Sequence, residues 1–408
     1  MSLFTFKRIP LSFDKISTRV NLHDMTLLPF VMVMAVMFNV CMSLSLMEMQ
    51  TLSYLILAID LGGFFFMFSL LVYKREMSSY GFCFFLFMIL LIIFSLINDT
   101  DVKDATYTAM STWLILLLMR YYRNRMNMLI GCFAIALSVC VWANFLHLIY
   151  NPNLWMVDNE KFGYGYLLGD NYNQMGCRLM IALMSNMLCI KHSRLWLINF
   201  IVIAILSIAS LTMVGSMTSL SMIVVFLFFC LIPSSRLRKL FMAGLFFIWL
   251  LFQVFVVFSG KGLENNELAV FLVEDVLKKD ITFTHRTYMW DCALNVIEKS
   301  PIWGWGNVDN DWFKSKMTSF ATGPHNFILY VLITGGIILL LLYIAICVKA
   351  FKSIRPYLDE RMAQTILFSV ITLMVMALME IYPFPIMFYA ISLVFYYPYI
   401  ARNPKTCS

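Results

Sequence analysis

Runs of about 20 apolar residues recur along the whole chain, with short clusters of Lys and Arg between them. No other feature constrains the fold as strongly. In hydrocarbon every backbone N–H and C=O must be bonded within the structure, so a run of that length crosses as a helix. A transmembrane barrel would need short segments of alternating polarity, and the sequence has none. The 408 residues are 61% hydrophobic and 13% charged, about half the charged share of a soluble domain. The fold class is therefore an all-α polytopic membrane protein.

Hydropathy predicts about 12 transmembrane helices, near 25–46, 51–73, 78–97, 105–119, 127–149, 173–190, 195–213, 217–232, 240–259, 325–348, 363–379 and 384–400. Charge then orients them. Lys74 and Arg75, Arg120 with Arg123 and Arg125, Lys191 with Arg194, Arg236 with Arg238 and Lys239, and Lys349 with Lys352 and Arg355 fall at alternate ends. Short loops rich in Lys and Arg lie inside. Both termini are then cytoplasmic tails, 1–24 and 401–408, around a single transmembrane domain, 25–400. The net charge of +7 comes from these clusters, so it marks topology rather than nucleic acid. Seven of the ten cysteines fall in apolar runs and no CxxC occurs, which makes them packing residues rather than a disulfide or metal framework.

One outer segment, 260–324, is far longer than the others and is expected to contain short helices. Leu268, Phe271, Leu272, Val276 and Leu277 recur at helical spacing. So do Met289, Ala293, Leu294 and Ile297, with Thr284 placed as an N-cap and Pro301 beyond the end.

Polar chemistry gathers on the outer side. Arg286 opens the second loop helix, and its fork suits a phosphate. Trp303-Gly304-Trp305-Gly306 and the Asn and Asp residues after it suit sugars, through ring faces and hydroxyl partners; an interfacial aromatic belt has the same composition. Gly323-Pro324-His325-Asn326 runs straight into a span. Histidine there is a capping residue or a general base. A second Gly/Asn-rich loop holds Asp170 and Asn173, and Arg178 falls one turn inside the next span. A charge at that depth marks either a functional site or a snorkelling side chain. Asp60, also within a span, has three readings: a partner for Arg178 or Arg286, a proton relay, or a hydrogen bond between helices.

In order, Asn173, the Gly215-Ser216 turn, Arg286 to Trp290, Pro301, Gly304, Gly306, His325-Asn326, Leu329 and Gly335-Gly336 resemble the O-antigen ligase and polymerase superfamily, including Wzy-type polysaccharide polymerases. The resemblance is best over about 165–340. It implies a glycosyltransferase of the bacterial inner membrane, with an undecaprenyl-diphosphate-linked oligosaccharide as donor and no required cofactor or metal. A chain-length regulator and a flippase are the protein partners it implies. On this reading Arg178 and Arg286 hold the diphosphate and His325 is the base or orients the acceptor. Asn173, Asp170, Trp303, Trp305 and Asn326 bind sugars. One position departs: relatives carry Arg just after the Gly-Ser turn, where this chain has Met217. The leading expectation is a polysaccharide polymerase. The alternatives are an O-antigen ligase acting on lipid A core and a lipid-linked oligosaccharide flippase.

Overall fold

A computed structural model describes residues 27–43, 49–74, 77–151, 153, 166–169, 171–259 and 286–402. Within them the chain forms α1 (Leu27–Cys41), α2 (Gln50–Lys74), α3 (Ser79–Ile97), α4 (Val102–Tyr121), α5 (Met126–Tyr150), α6 (Met175–Cys189), α7 (Arg194–Val214), α8 (Met217–Leu231) and α9 (Ser235–Phe255). It continues with α10 (Arg286–Lys299), α11 (Asn310–Lys316), α12 (Phe327–Ile354), α13 (Arg361–Met376), α14 (Phe384–Phe395) and α15 (Tyr397–Ala401). No strand occurs among the described residues, so the all-α reading holds.

Each of the twelve expected spans contains a helix, but the helices are unequal. Six helical stretches are long and apolar enough to cross a membrane: 50–73, 79–97, 123–150, 194–214, 235–259 and 327–357. Four more, α1, α8, α13 and α14, are apolar but shorter. The two remaining are α4 and α6, and α6 is deeply buried. Every residue of α6 except Met187 is buried, and α5, α7, α8, α13 and α14 pack around it. A helix with no exposed face needs no apolar stripe, which is why its hydropathy runs low.

Polar side chains inside this bundle are paired between helices, as burial away from water requires. Asn199 donates to Asn186 Oδ1 at 2.6 Å, Asn186 donates to Ser138 Oγ at 3.0 Å, and Ser185 and Tyr389 share a hydrogen bond of 2.7 Å. Asp60 follows the same rule. Its Oδ2 accepts from Asn39 and from Ser111, both at 2.6 Å, and joins α2 to α1 and α4. Of the three readings open for Asp60, the hydrogen bond between helices is the one observed.

The second predicted loop helix is present as α10, its buried face made by Met289, Trp290, Ala293 and Val296. The first, around Leu268–Leu277, and the Thr284 cap lie outside the described residues. After α10 the chain turns back and docks into a break in α12. Gly335 and Gly336 leave helical geometry there. Four backbone bonds cross the break: Trp305 N–H to Ile333 O at 2.7 Å, Gly306 N–H to Thr334 O at 2.9 Å, Ile337 N–H to Pro301 O at 2.9 Å and Ile338 N–H to Ile302 O at 3.3 Å. They replace bonds that the interrupted helix cannot make, so the break is tolerated at depth.

The same segment bridges outward to the α3–α4 turn. Asn307 N–H donates to Ser95 Oγ at 2.8 Å, its side-chain amide donates to Asp104 at 2.9 Å, and Thr100 donates to Trp305 O at 3.1 Å. Glycines in such a stretch are expected to bring backbone close to a ligand. Here they bring it close to this chain instead. A Cβ on Gly304 would lie 2.5 Å from Gly335 N, and one on Gly306 would lie 2.6 Å from Thr100 Oγ1.

Candidate active site

Arg178 sits in the first turn of α6 and is buried. Its Nη1 donates to Gln174 O at 3.0 Å, while its Nε has no partner. The returning loop covers it. Leu168 N–H is held by Asn144 Oδ1 at 3.2 Å, and Gly169, at φ +100°, presses against the guanidinium. Any Cβ at Gly169 would meet Arg178 Nη1 at 2.6 Å. A buried guanidinium with an unpartnered Nε is a candidate to meet an anion.

His325 is the residue before the cap of α12. It takes φ +46°, a left-handed conformation rare for anything but glycine. That position is fixed by Asn326, whose Oδ1 accepts from Leu329 N–H at 3.0 Å and whose amide donates to Gln253 Oε1 at 2.9 Å and Leu378 O at 3.2 Å. The imidazole Nδ1 lies 3.6 Å from Glu380 Oε1. Glu380 is itself buried, accepts from Ile381 N–H at 3.2 Å, and keeps Oε2 without a partner. The separation is longer than a hydrogen bond and Nδ1 has no hydrogen-bond partner; a histidine beside a buried carboxylate is a candidate general base.

Tyr382 ties this pair to Arg178. Burial pushes its phenol well above the ordinary range, and the nearby Cys177 and Glu380 push the same way. A hydrogen bond with Ser219 and the Arg178 charge oppose them. One buried phenol therefore feels both Glu380 and Arg178, and places them in a single electrostatic neighbourhood.

Arg286 opens α10 half-buried, with its Nε lacking a partner. Among the described residues it pairs with neither Arg178 nor Glu380. It stands one turn before Trp290, whose ring meets Phe252 edge-on at 6.2 Å. Phe252 adjoins Gln253, the partner of Asn326.

The sugar-type residues separate. Trp303 is 55% exposed and offers a free ring face. Trp305 is engaged: its Nε1 donates to Val296 O at 3.2 Å and its ring packs on Trp312 at 5.8 Å. Asn326 is wholly buried as a cap. Asn173 is half-buried in the turn before α6, where its N–H donates to Asn171 Oδ1 at 2.9 Å. Asp170 lies outside the described residues. Met217 is 63% exposed on α8 and does not point into the bundle. Ser219, two residues on, is buried and does.

Glu380, Tyr382 and Ser219 were missed by sequence reasoning. Glu380 carried a signal, as a carboxylate in the apolar stretch Leu378–Phe384, at the edge of two spans. Ser219 and Tyr382 carried none.

No curated protein and no solved structure matches the chain. Residues 179–344 match the model of the O-antigen ligase family. That stretch begins one residue after Arg178 and contains Arg286, the Trp-Gly repeat, His325 and the α12 break, while Glu380 lies beyond it. Over that stretch, less than half of its length, the chain is similar to that family, which supports the O-antigen ligase/polymerase superfamily.

Proposed function

We propose that the protein is a polysaccharide polymerase, joining glycan repeats carried on undecaprenyl diphosphate at the outer face of the bacterial inner membrane. The observation that carries this reading is the His325–Glu380 pair, 3.6 Å apart, in the neighbourhood of a buried arginine with an unpartnered nitrogen. The acceptor hydroxyl gives its proton to His325 as its oxygen attacks the anomeric carbon of the donor. The bond from that carbon to the diphosphate breaks. Negative charge grows on the departing diphosphate, where Arg178 and Arg286 stabilise it. Glu380, beside the imidazole, balances the charge it acquires. Trp303 offers a ring face to a sugar, with Asn173 and Asp170 in the loop before α6. Asn326 and Trp305 support the site from beneath.

The second reading is a ligase that transfers finished glycan to lipid A core, favoured by the description of the matched family model. His325→Ala, with membrane insertion verified, is expected to abolish chain elongation. Normal long glycan in that variant overturns the assignment. Deletion separates the two readings. A polymerase leaves single repeats on the acceptor, whereas a ligase leaves long glycan on the carrier lipid.

A further inference from the structure

At the other end of the bundle lies a second buried arginine. Arg238 stands in the first turn of α9, a helix whose only buried residues are Arg238, Met242 and Gln253. Gln253 belongs to the His325 end through Asn326, and 15 residues of helix put Arg238 about 22 Å from it. Arg238 is 3% exposed, and neither its Nε nor its Nη1 has a hydrogen-bond partner. Among the described residues no carboxylate comes within 4.0 Å of it. Arg361, of the same sign, and Cys230 act on it electrostatically.

Arg361 opens α13 and donates through Nη2 to Cys230 O at the end of α8. Gln364, one turn further, ties α13 to the α8–α9 turn by donating to Ser235 Oγ and to Leu358 O, both at 2.7 Å. Its Oε1 is buried without a partner. The buried Arg238 and the exposed Arg361 thus both stand where α8, α9 and α13 meet. A buried cation left unpaired destabilises its surroundings, and a neighbour of like charge adds to that. An oxyanion that accepts from both removes the penalty, and the planar fork of Arg fits phosphate. Leu231, Leu237 and Leu240 are exposed beside it, as suits an anion at the edge of a lipid layer.

We propose that Arg238 and Arg361 form a phosphate-binding site at the end of the bundle opposite His325. The test uses the full-length protein and its unfolding midpoint. In detergent, inorganic phosphate is titrated against chloride at equal ionic strength. In nanodiscs, phosphatidylcholine alone is compared with phosphatidylcholine mixed with phosphatidylglycerol. The expected result is a rise of about 3 °C or more with at least one phosphate source over its control. Arg238→Met and Arg361→Met lose that rise, and Arg236→Met, at an exposed neighbour, keeps it. A rise with phosphatidylglycerol alone assigns a lipid headgroup, and a rise in both arms assigns the phosphate group itself. No rise in the wild type, or an equal rise in Arg238→Met, overturns the proposal. The readout is the ligand-dependent shift within each variant, so a change in the baseline stability of either variant does not alter the comparison.

Discussion

The Nδ1 of His325 and the Oε1 of Glu380 are 3.6 Å apart, on opposite sides of the junction between α12 and the α13–α14 turn. Glu380→Gln keeps the shape of the side chain and removes its charge. Elongation of lipid-linked repeats by the reconstituted protein is expected to fall about 100-fold or more. His325→Ala should cost a similar factor, and the double variant little more than either alone, since the two act as a unit. Losses that multiply would show that they act separately.

Gly169 is set against Arg178, and the contact leaves no space for a methyl group. Gly169→Ala combines strain at φ +100° with displacement of the guanidinium. Activity should drop with a stability loss of about 1–3 kcal/mol. Arg178→Lys should fold normally and lose activity, because an ammonium lacks the fork. Thermal unfolding and elongation rate, measured together, distinguish these outcomes.

Gly304 and Gly306 carry backbone against backbone. Gly304→Ala and Gly306→Ala are expected to cost more than about 2 kcal/mol each or to prevent accumulation of folded protein. Gly62 and Gly131 have open space around them within their helices. Alanine there should be neutral or stabilising by up to about 1 kcal/mol. The yield of monodisperse protein in detergent is the measurement.

The two tryptophans of the repeat should behave differently. Trp303→Ala is expected to raise the KM for lipid-linked substrate and leave the unfolding midpoint unchanged. Trp305→Ala should lower the midpoint. Asn326→Ala removes a helix cap and orphans the Gln253 amide, at about 2–3 kcal/mol.

Alkaline pH probes Tyr382. Its folded-state pKa is raised by burial, so the folded chain holds this proton more tightly than the unfolded chain does. The resulting stability is complete below the unfolded tyrosine value, about 10, and is lost as pH rises beyond it. Tyr382→Phe should therefore show a shallower decline in unfolding midpoint above about pH 10 than the wild type.

The helices were legible because hydrocarbon leaves the backbone one way to satisfy itself, and α10 because its apolar spacing is local. Arg178 and Arg286 were legible as charges where charge is expensive. The role of Gly304 and Gly306 was not, since it depends on a break at Gly335 and Gly336 some thirty residues away. Nor was the partner of His325. Glu380 reaches it only because α13 ends beside the start of α12, and helix packing of that kind leaves no spacing to read. Asn326 shows the opposite limit: it was read as a sugar ligand, and its bonds as a helix cap are visible only in the fold.

The break in α12 divides one stretch of sequence into a shaft and a head. The shaft, 337–354, is about 27 Å long and by itself approaches the thickness of a hydrocarbon core. The head, 327–334, is too short to be positioned by lipid. Of the four bonds from the Pro301–Gly306 segment, two hold the end of the head, at Ile333 and Thr334, and two hold the start of the shaft, at Ile337 and Ile338. His325 immediately precedes the head, so the segment that clamps the break also bears on where His325 stands. A bilayer whose thickness displaced the shaft would therefore load the clamp and the head together.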